Sequence, residues 1–153
     1  MKIEKRLEEL NLTLPELPKP VANYVPAVKA GNLLFVSGHG PGRGEGKLYK
    51  GKVGNDLTIE DGYQSARQTA LCLISTIKGA IGNLDKVKQF VKVVGFVNCT
   101  EDFTDQPKVV NGASDLFVEV FGNKGKHARS AVGMQQLPGG IPVEVEVIVE
   151  VED

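Results

Sequence analysis

Residues 141–152 read Ile141-Pro142-Val143-Glu144-Val145-Glu146-Val147-Ile148-Val149-Glu150-Val151-Glu152. Successive side chains of a strand point to opposite faces, so the valines at 143, 145, 147, 149 and 151 share one face. Glu144, Glu146, Ile148 and Glu150 share the other. Strict alternation of this kind predicts a strand with one covered face and one polar face. The segments able to cover the valine row lie upstream. Thr58 to Ile81 carries Tyr63, Ala66, Ala70, Leu73, Ile74 and Ile77 at helical spacing. Thr58 and Asp61 sit three apart, as in a capping box, and Gly82-Asn83 ends the pattern. A second helix is predicted after Thr104-Asp105, with Pro107 in its first turn and Gly122 as its stop. Val109, Val110, Ala113, Leu116, Phe117 and Val120 give its buried face.

The remaining strands follow from run length and apolar content. Val87–Cys99 is nearly continuously apolar, as an interior strand should be. Ala22–Val28 and Leu33–Ser37, joined by Lys29-Ala30-Gly31-Asn32, predict a hairpin. Ala128–Met134 is a short strand, and Lys47–Asp56 adds a poorly patterned one. Lys2–Asn11 reads as a short amphipathic helix, followed by a stiff connector at Pro15, Pro18 and Pro20. The predicted fold is α+β: two helices on one face of a mixed sheet, plus the short N-terminal helix. Residues 1–19 are expected to form the helix and connector, and residues 20–153 a single domain.

The chain has 153 residues, a net charge of −1 and 41% hydrophobic residues. One core suits that length. The near-neutral balance argues against a nucleic-acid binder. The charged N-terminus and the lack of a long apolar run argue against a signal peptide or membrane span. Two cysteines without short spacing suit a reducing cytoplasm. Eighteen glycines are unusual. Those from Gly38 to Gly46 invite a phosphate-loop reading, which fails: Pro41 and Leu48 occupy Walker positions, and Arg43 stands where a dinucleotide fingerprint needs glycine. The stretch from Gly40 to Gly46 is expected to be a flexible rim or a lid.

His39, His127, Cys72 and Cys99 show no metal-ligand spacing, so no metal site is expected. Neither Ser37 nor Ser114 lies in a nucleophile elbow. What survives is His127-Ala128-Arg129-Ser130-Ala131 followed by Leu137-Pro138 and Val143-Glu144-Val145-Glu146. The guanidinium of Arg129 can bind a carboxylate through two parallel hydrogen bonds. A salt bridge to Glu144 or Glu146 is the alternative, and the commoner fate of an arginine.

Together with Asn23-Tyr24-Val25, Phe35-Val36-Ser37-Gly38 and Asn111, these motifs resemble the YjgF/RidA family, the reactive intermediate deaminases also called L-PSP endoribonucleases. The order and spacing match over roughly residues 20–152. The resemblance implies a chorismate-mutase-like fold and a cytoplasmic homotrimer with sites between subunits. It also implies hydrolysis of 2-enamine and 2-imine acids such as 2-aminoacrylate and 2-iminopropionate, without metal or cofactor. On it, Arg129 grips the substrate carboxylate and Glu144 lies near the attacking water. Tyr24 and Ser37 line the cleft, with Asn111 beside it. Ala131 stands where the family often has cysteine and retains the backbone groups through which that residue acts. His39 replaces a usual glutamine and His127 a usual proline. The longer Gly42–Lys52 loop and the added N-terminal helix mark a divergent branch. A non-catalytic carboxylate-binding role is the alternative. Ribonuclease activity has least support, since basic surface bias and a paired-histidine system are both lacking.

Overall fold

A computed structural model describes residues 2–17 and 23–153. The elements run α1 (Lys2–Glu9), β1 (Ala27–Ala30), β2 (Leu33–His39), α2 (Ile59–Ile81), β3 (Val87–Asn98), α3 (Gln106–Phe121), β4 (Ala128–Met134) and β5 (Val143–Val151). The sheet order is β1-β2-β5-β3-β4, with β3 and β4 parallel and the other neighbours antiparallel. β5 closes the chain but sits at the sheet centre, between β2 and β3. Its alternation therefore does report the whole sheet's two faces.

The valines of β5 are all buried, as are Phe90, Val93 and Val97 of β3. They meet α2 and α3, which cover this face. Thr58 caps α2 as expected: its hydroxyl accepts from the Asp61 amide while the Asp61 carboxylate accepts from the Thr58 amide. Gly112 allows α3 to press on the backbone carbonyl of Tyr63 in α2, where any Cβ would collide. α1 is capped from outside itself. Both oxygens of Asp85 accept from the amides of Lys2 and Ile3 at 2.9 Å, and Leu7 is buried.

Two expectations need correction. The hairpin forms, but β1 spans Ala27–Ala30, so the turn shrinks to Gly31-Asn32, with Gly31 at φ 61°. Lys29 and Ala30 pair with Leu34 and Leu33 instead of belonging to the turn. Ala22, with Pro18 and Pro20 of the connector, lies outside the described residues. Lys47–Asp56 forms no strand among the described residues; Val53 alone makes isolated bridges, to Leu57 and Cys99. Gly51 and Gly54 adopt positive φ there, and the Asp56 carboxylate accepts from the Lys52 amide, which folds the segment back. In the glycine-rich run Pro41 is buried while residues 42–47 are exposed, and just beyond it the Ser65 hydroxyl donates to the Leu48 carbonyl at 2.6 Å.

The helix-free face carries Lys92, Val94 and Phe96 of β3 beside Ile148, Glu146 and Glu144 of β5. Val28, Phe35 and Val132 stand more than 40% exposed on it. A shallow groove of about 410 Å³ crosses this face between Phe35, Ser37, Lys92 and Ile148. Among the described residues no helix is long and apolar enough to cross a membrane.

Candidate functional site

β4 is the sheet edge, paired among the described residues with β3 alone. Arg129 stands opposite Val93 in that pairing, so its side chain rises on the helix-covered side. There Asn111 and Ser114, one helical turn apart on α3, receive it. Nη1 donates to Asn111 Oδ1 at 2.8 Å and to Ser114 Oγ at 3.1 Å. Both hydrogens of Nη1 are thereby used. No partner engages Nε or Nη2 among the described residues, which leaves the side-on edge of the fork free for a carboxylate. Ala131, two residues on, shares the Arg129 side and faces Gly95.

The Ser114 hydroxyl extends this cluster. Its Oγ lies 2.8 Å from His127 Nε2, and His127 Nδ1 lies 2.6 Å from the Gly125 carbonyl. A carbonyl can only accept, so Nδ1 carries the proton and Nε2 accepts from Ser114. Burial pushes the His127 pKa below its ordinary value and the Arg129 cation adds to the drop; the Gly125 hydrogen bond opposes them.

A second group of expected site residues collects elsewhere. β2 bulges between Val36 and His39, placing Ser37 and Gly38 in the irregular stretch. Ser37 fastens the segment before β1 to this bulge: its amide donates to the Pro26 carbonyl at 2.9 Å and its hydroxyl to the Val25 carbonyl at 3.0 Å. Tyr24, on that segment, is 57% exposed. His39 pins the bulge from beneath, with Nδ1 2.6 Å from the Ser37 carbonyl and Nε2 2.7 Å from Thr76 Oγ1 of α2. Glu144 lies against Gly38, where a Cβ would sit 2.5 Å from Oε2. Burial, reinforced by Glu146 on the same face, raises the Glu144 pKa.

The two groups are not one constellation. Arg129, Asn111 and Ala131 belong to the helix side of the β4 edge. Glu144 pairs with Phe96 on the opposite face. No ion pair joins Arg129 to Glu144 or Glu146 within the chain among the described residues, where Asn111 and Ser114 hold the guanidinium instead. That placement removes Arg129 from the causes acting on Glu144 within the chain. The sequence reading missed the Ser114–His127 partnership. Its signal was present in two spacings: Asn111 and Ser114 at i, i+3 of a helix, and His127 two residues before Arg129.

A hollow of about 860 Å³ is a different place, lined by Lys52, Cys99, Thr100, Gln106 and Met134 at the far end of β4. Lys52 closes one wall by donating to Asn98 Oδ1 at 2.8 Å and to the carbonyls of Cys99 and Gln135. No group of three or more His, Cys, Asp or Glu side chains able to hold a metal occurs among the described residues.

Comparison with known proteins gives a consistent set of likenesses. A family model described as "YjgF/chorismate_mutase-like, putative endoribonuclease" matches residues 4–145. Protein TCP17 of Trypanosoma cruzi is 43% identical over 153 residues, covering 99% of this chain and 96% of that protein. The crystal structure of Atu1372, a protein of unknown function from Agrobacterium tumefaciens, superposes with a TM-score of 0.90 at 41% identity, covering 98% and 92% of the two chains. A 2-iminobutanoate/2-iminopropanoate deaminase of Dermatophagoides farinae is 26% identical over 142 residues, 92% of this chain and 95% of that one. The expected chorismate-mutase-like α+β architecture is therefore the fold of this chain.

Proposed function

The chain belongs to the YjgF/RidA family, and on that footing we propose that it is a hydrolytic deaminase of reactive 2-enamine and 2-imine acids. The observation that carries this reading is the Arg129 guanidinium, held through one nitrogen by Asn111 and Ser114 with its side-on edge unengaged among the described residues. A fork fixed in that way binds a carboxylate at little further entropic cost. The similar Dermatophagoides farinae deaminase supports the substrate class.

The chemistry asks little of a protein. An enamine acid tautomerises to the imine; water adds to the C=N carbon, and ammonia leaves to give the 2-oxo acid. A protonated imine is electrophilic already, so orientation and a proton acceptor account for most of the catalysis. Arg129 orients the carboxylate, aided by the unpaired backbone edge of β4 around Ala131. Glu144 accepts the proton of the attacking water. Its raised pKa makes its ionised form a stronger base than an exposed glutamate. Ser37 and Tyr24 wall the Glu144 side.

Arg129 and Glu144 occupy opposite faces of one sheet, so the proposal includes a homotrimer in which one subunit's Arg129 meets a neighbour's Glu144. The part-exposed apolar face around Phe35, Val28 and Val132 is the contact surface this requires. The test generates 2-iminopropionate in situ with an amino-acid oxidase and follows its loss. Hydrolysis well above the protein-free rate is expected, with kcat/KM reduced about 100-fold or more in Arg129→Ala. A wild-type rate equal to the blank would overturn the enzyme reading. Thermal stabilisation by pyruvate without turnover would instead mark a carboxylate-binding protein.

A further inference from the structure

We infer that His127, acting through Ser114, is a positioning residue for Arg129 that makes carboxylate binding at this site take up a proton. The inference rests on the proposed role of Arg129 as carboxylate anchor. Its own footing is the chain of contacts from the Gly125 carbonyl through His127 and the Ser114 hydroxyl to Arg129 Nη1, each link between 2.6 and 3.1 Å.

The network has one arrangement when His127 is neutral. Nδ1–H donates to Gly125, Ser114 O–H donates to Nε2, and the remaining lone pair of Ser114 accepts from Arg129. When His127 is protonated, Nε2–H must donate instead, so Ser114 Oγ accepts from both cations and its own hydrogen turns away. Two positive groups then share one hydroxyl. That state is disfavoured while the guanidinium is bare. A carboxylate on the free edge of Arg129 neutralises its charge and removes the penalty, so binding favours the protonated imidazole.

The surroundings leave few other charges to consider. Phe117 of α3 presents its ring edge to the imidazole at a centroid distance of 6.1 Å. Asp115, beside Ser114, is engaged by the Tyr63 hydroxyl at 2.6 Å. Lys124 and Lys126, in the turn before β4, are exposed. Lys92 of β3 lies on the opposite face with Ser130. Glu144 and Glu146 of the same chain are on that face too, and the neighbour's Glu144 of the proposed trimer stands across the substrate cleft from Arg129 in both the free and the pyruvate-bound protein. Among the described residues Arg129 is the charged side chain whose field reaches His127.

The sign follows. Ligand binding raises the His127 pKa, so affinity strengthens as pH falls from 7 toward 5 and levels off above neutrality. For full uptake of one proton the limit is about tenfold per pH unit. The experiment titrates the full chain with pyruvate by calorimetry at several pH values, in two buffers of different ionisation heat. Imidazole NMR shifts of His127 are followed in parallel. Expected are proton uptake below pH 7, an upward shift of the His127 titration on binding, and loss of both in His127→Gln. In ligand-free protein, Arg129→Gln should also raise the His127 pKa. Pyruvate binding without proton uptake, or with uptake unchanged in His127→Gln, would overturn the inference while leaving Arg129 as anchor. Failure of pyruvate to bind would overturn both readings. An unmoved His127 titration in Arg129→Gln would sink the coupling alone.

Discussion

Gly38 shows how much a single missing atom can decide. Its φ is not in the left-handed region, so an L residue could adopt its backbone. What excludes a side chain is the Glu144 carboxylate, whose Oε2 would meet a Cβ at 2.5 Å. That oxygen is the end of a flexible side chain and can swing away. Gly38→Ala should therefore change stability by less than about 1 kcal/mol, since only a rotamer shift is demanded. The shift moves the carboxylate that the proposed mechanism uses as base, so kcat should fall about tenfold or more while KM stays nearly constant. Equal losses in melting temperature and kcat would contradict that separation.

At the scale of elements, the sheet and the two large helices were legible because periodicity speaks for itself over long segments. β4 was read to the residue, and the ends of α2 were readable because Thr58, Asp61 and Gly82 carry local capping chemistry. β1 was misplaced because Lys29-Ala30 looks like turn material; cross-strand pairing to Leu33 and Leu34 overrode that local preference. Lys47–Asp56 was misread because its order comes from glycine φ angles and from Lys52 and Asp56 contacts, which leave no periodic trace. The site was half legible: the alternation of β5 already sets Glu144 on the face away from the helices, but nothing in a linear pattern reveals that Arg129 rises on the helix side to meet Asn111. Among packing residues, Phe90 of β3 is a large, fully buried ring. It packs in tilted contact with Phe117 and Phe121 of α3, at centroid distances of 4.5 and 4.9 Å. Phe90→Ala should cost about 3–5 kcal/mol by chemical denaturation, the usual range for emptying such a site. A loss under 1 kcal/mol would show that α3 collapses into the gap.

For the whole molecule, acid sensitivity follows from two histidines. Burial lowers the pKa of both His39 and His127 below the unfolded value of 6.5. The unfolded chain then binds more protons than the folded one between the folded and unfolded values, so this stabilisation is lost as pH drops below about 6.5. Glu144 acts in the opposite direction: its raised pKa lets the folded state hold a proton above 4.5 that the unfolded chain releases. The denaturation midpoint should fall between pH 7 and pH 5.5, and replacing His39 and His127 by glutamine should flatten that slope. A slope unchanged by the double substitution would assign it to other groups.

The opposite-face placement of Arg129 and Glu144 has a genetic reading as well. If every working site borrows its guanidinium from one copy and its carboxylate from another, two dead alleles can rescue each other. Arg129→Ala and Glu144→Gln, each inert alone, should regain activity when co-expressed in one cell. With random mixing of equal amounts in closed threefold rings, about a quarter of the junctions would contain both intact partners. Co-expression that yields mixed rings but no activity would mean that each copy works by itself.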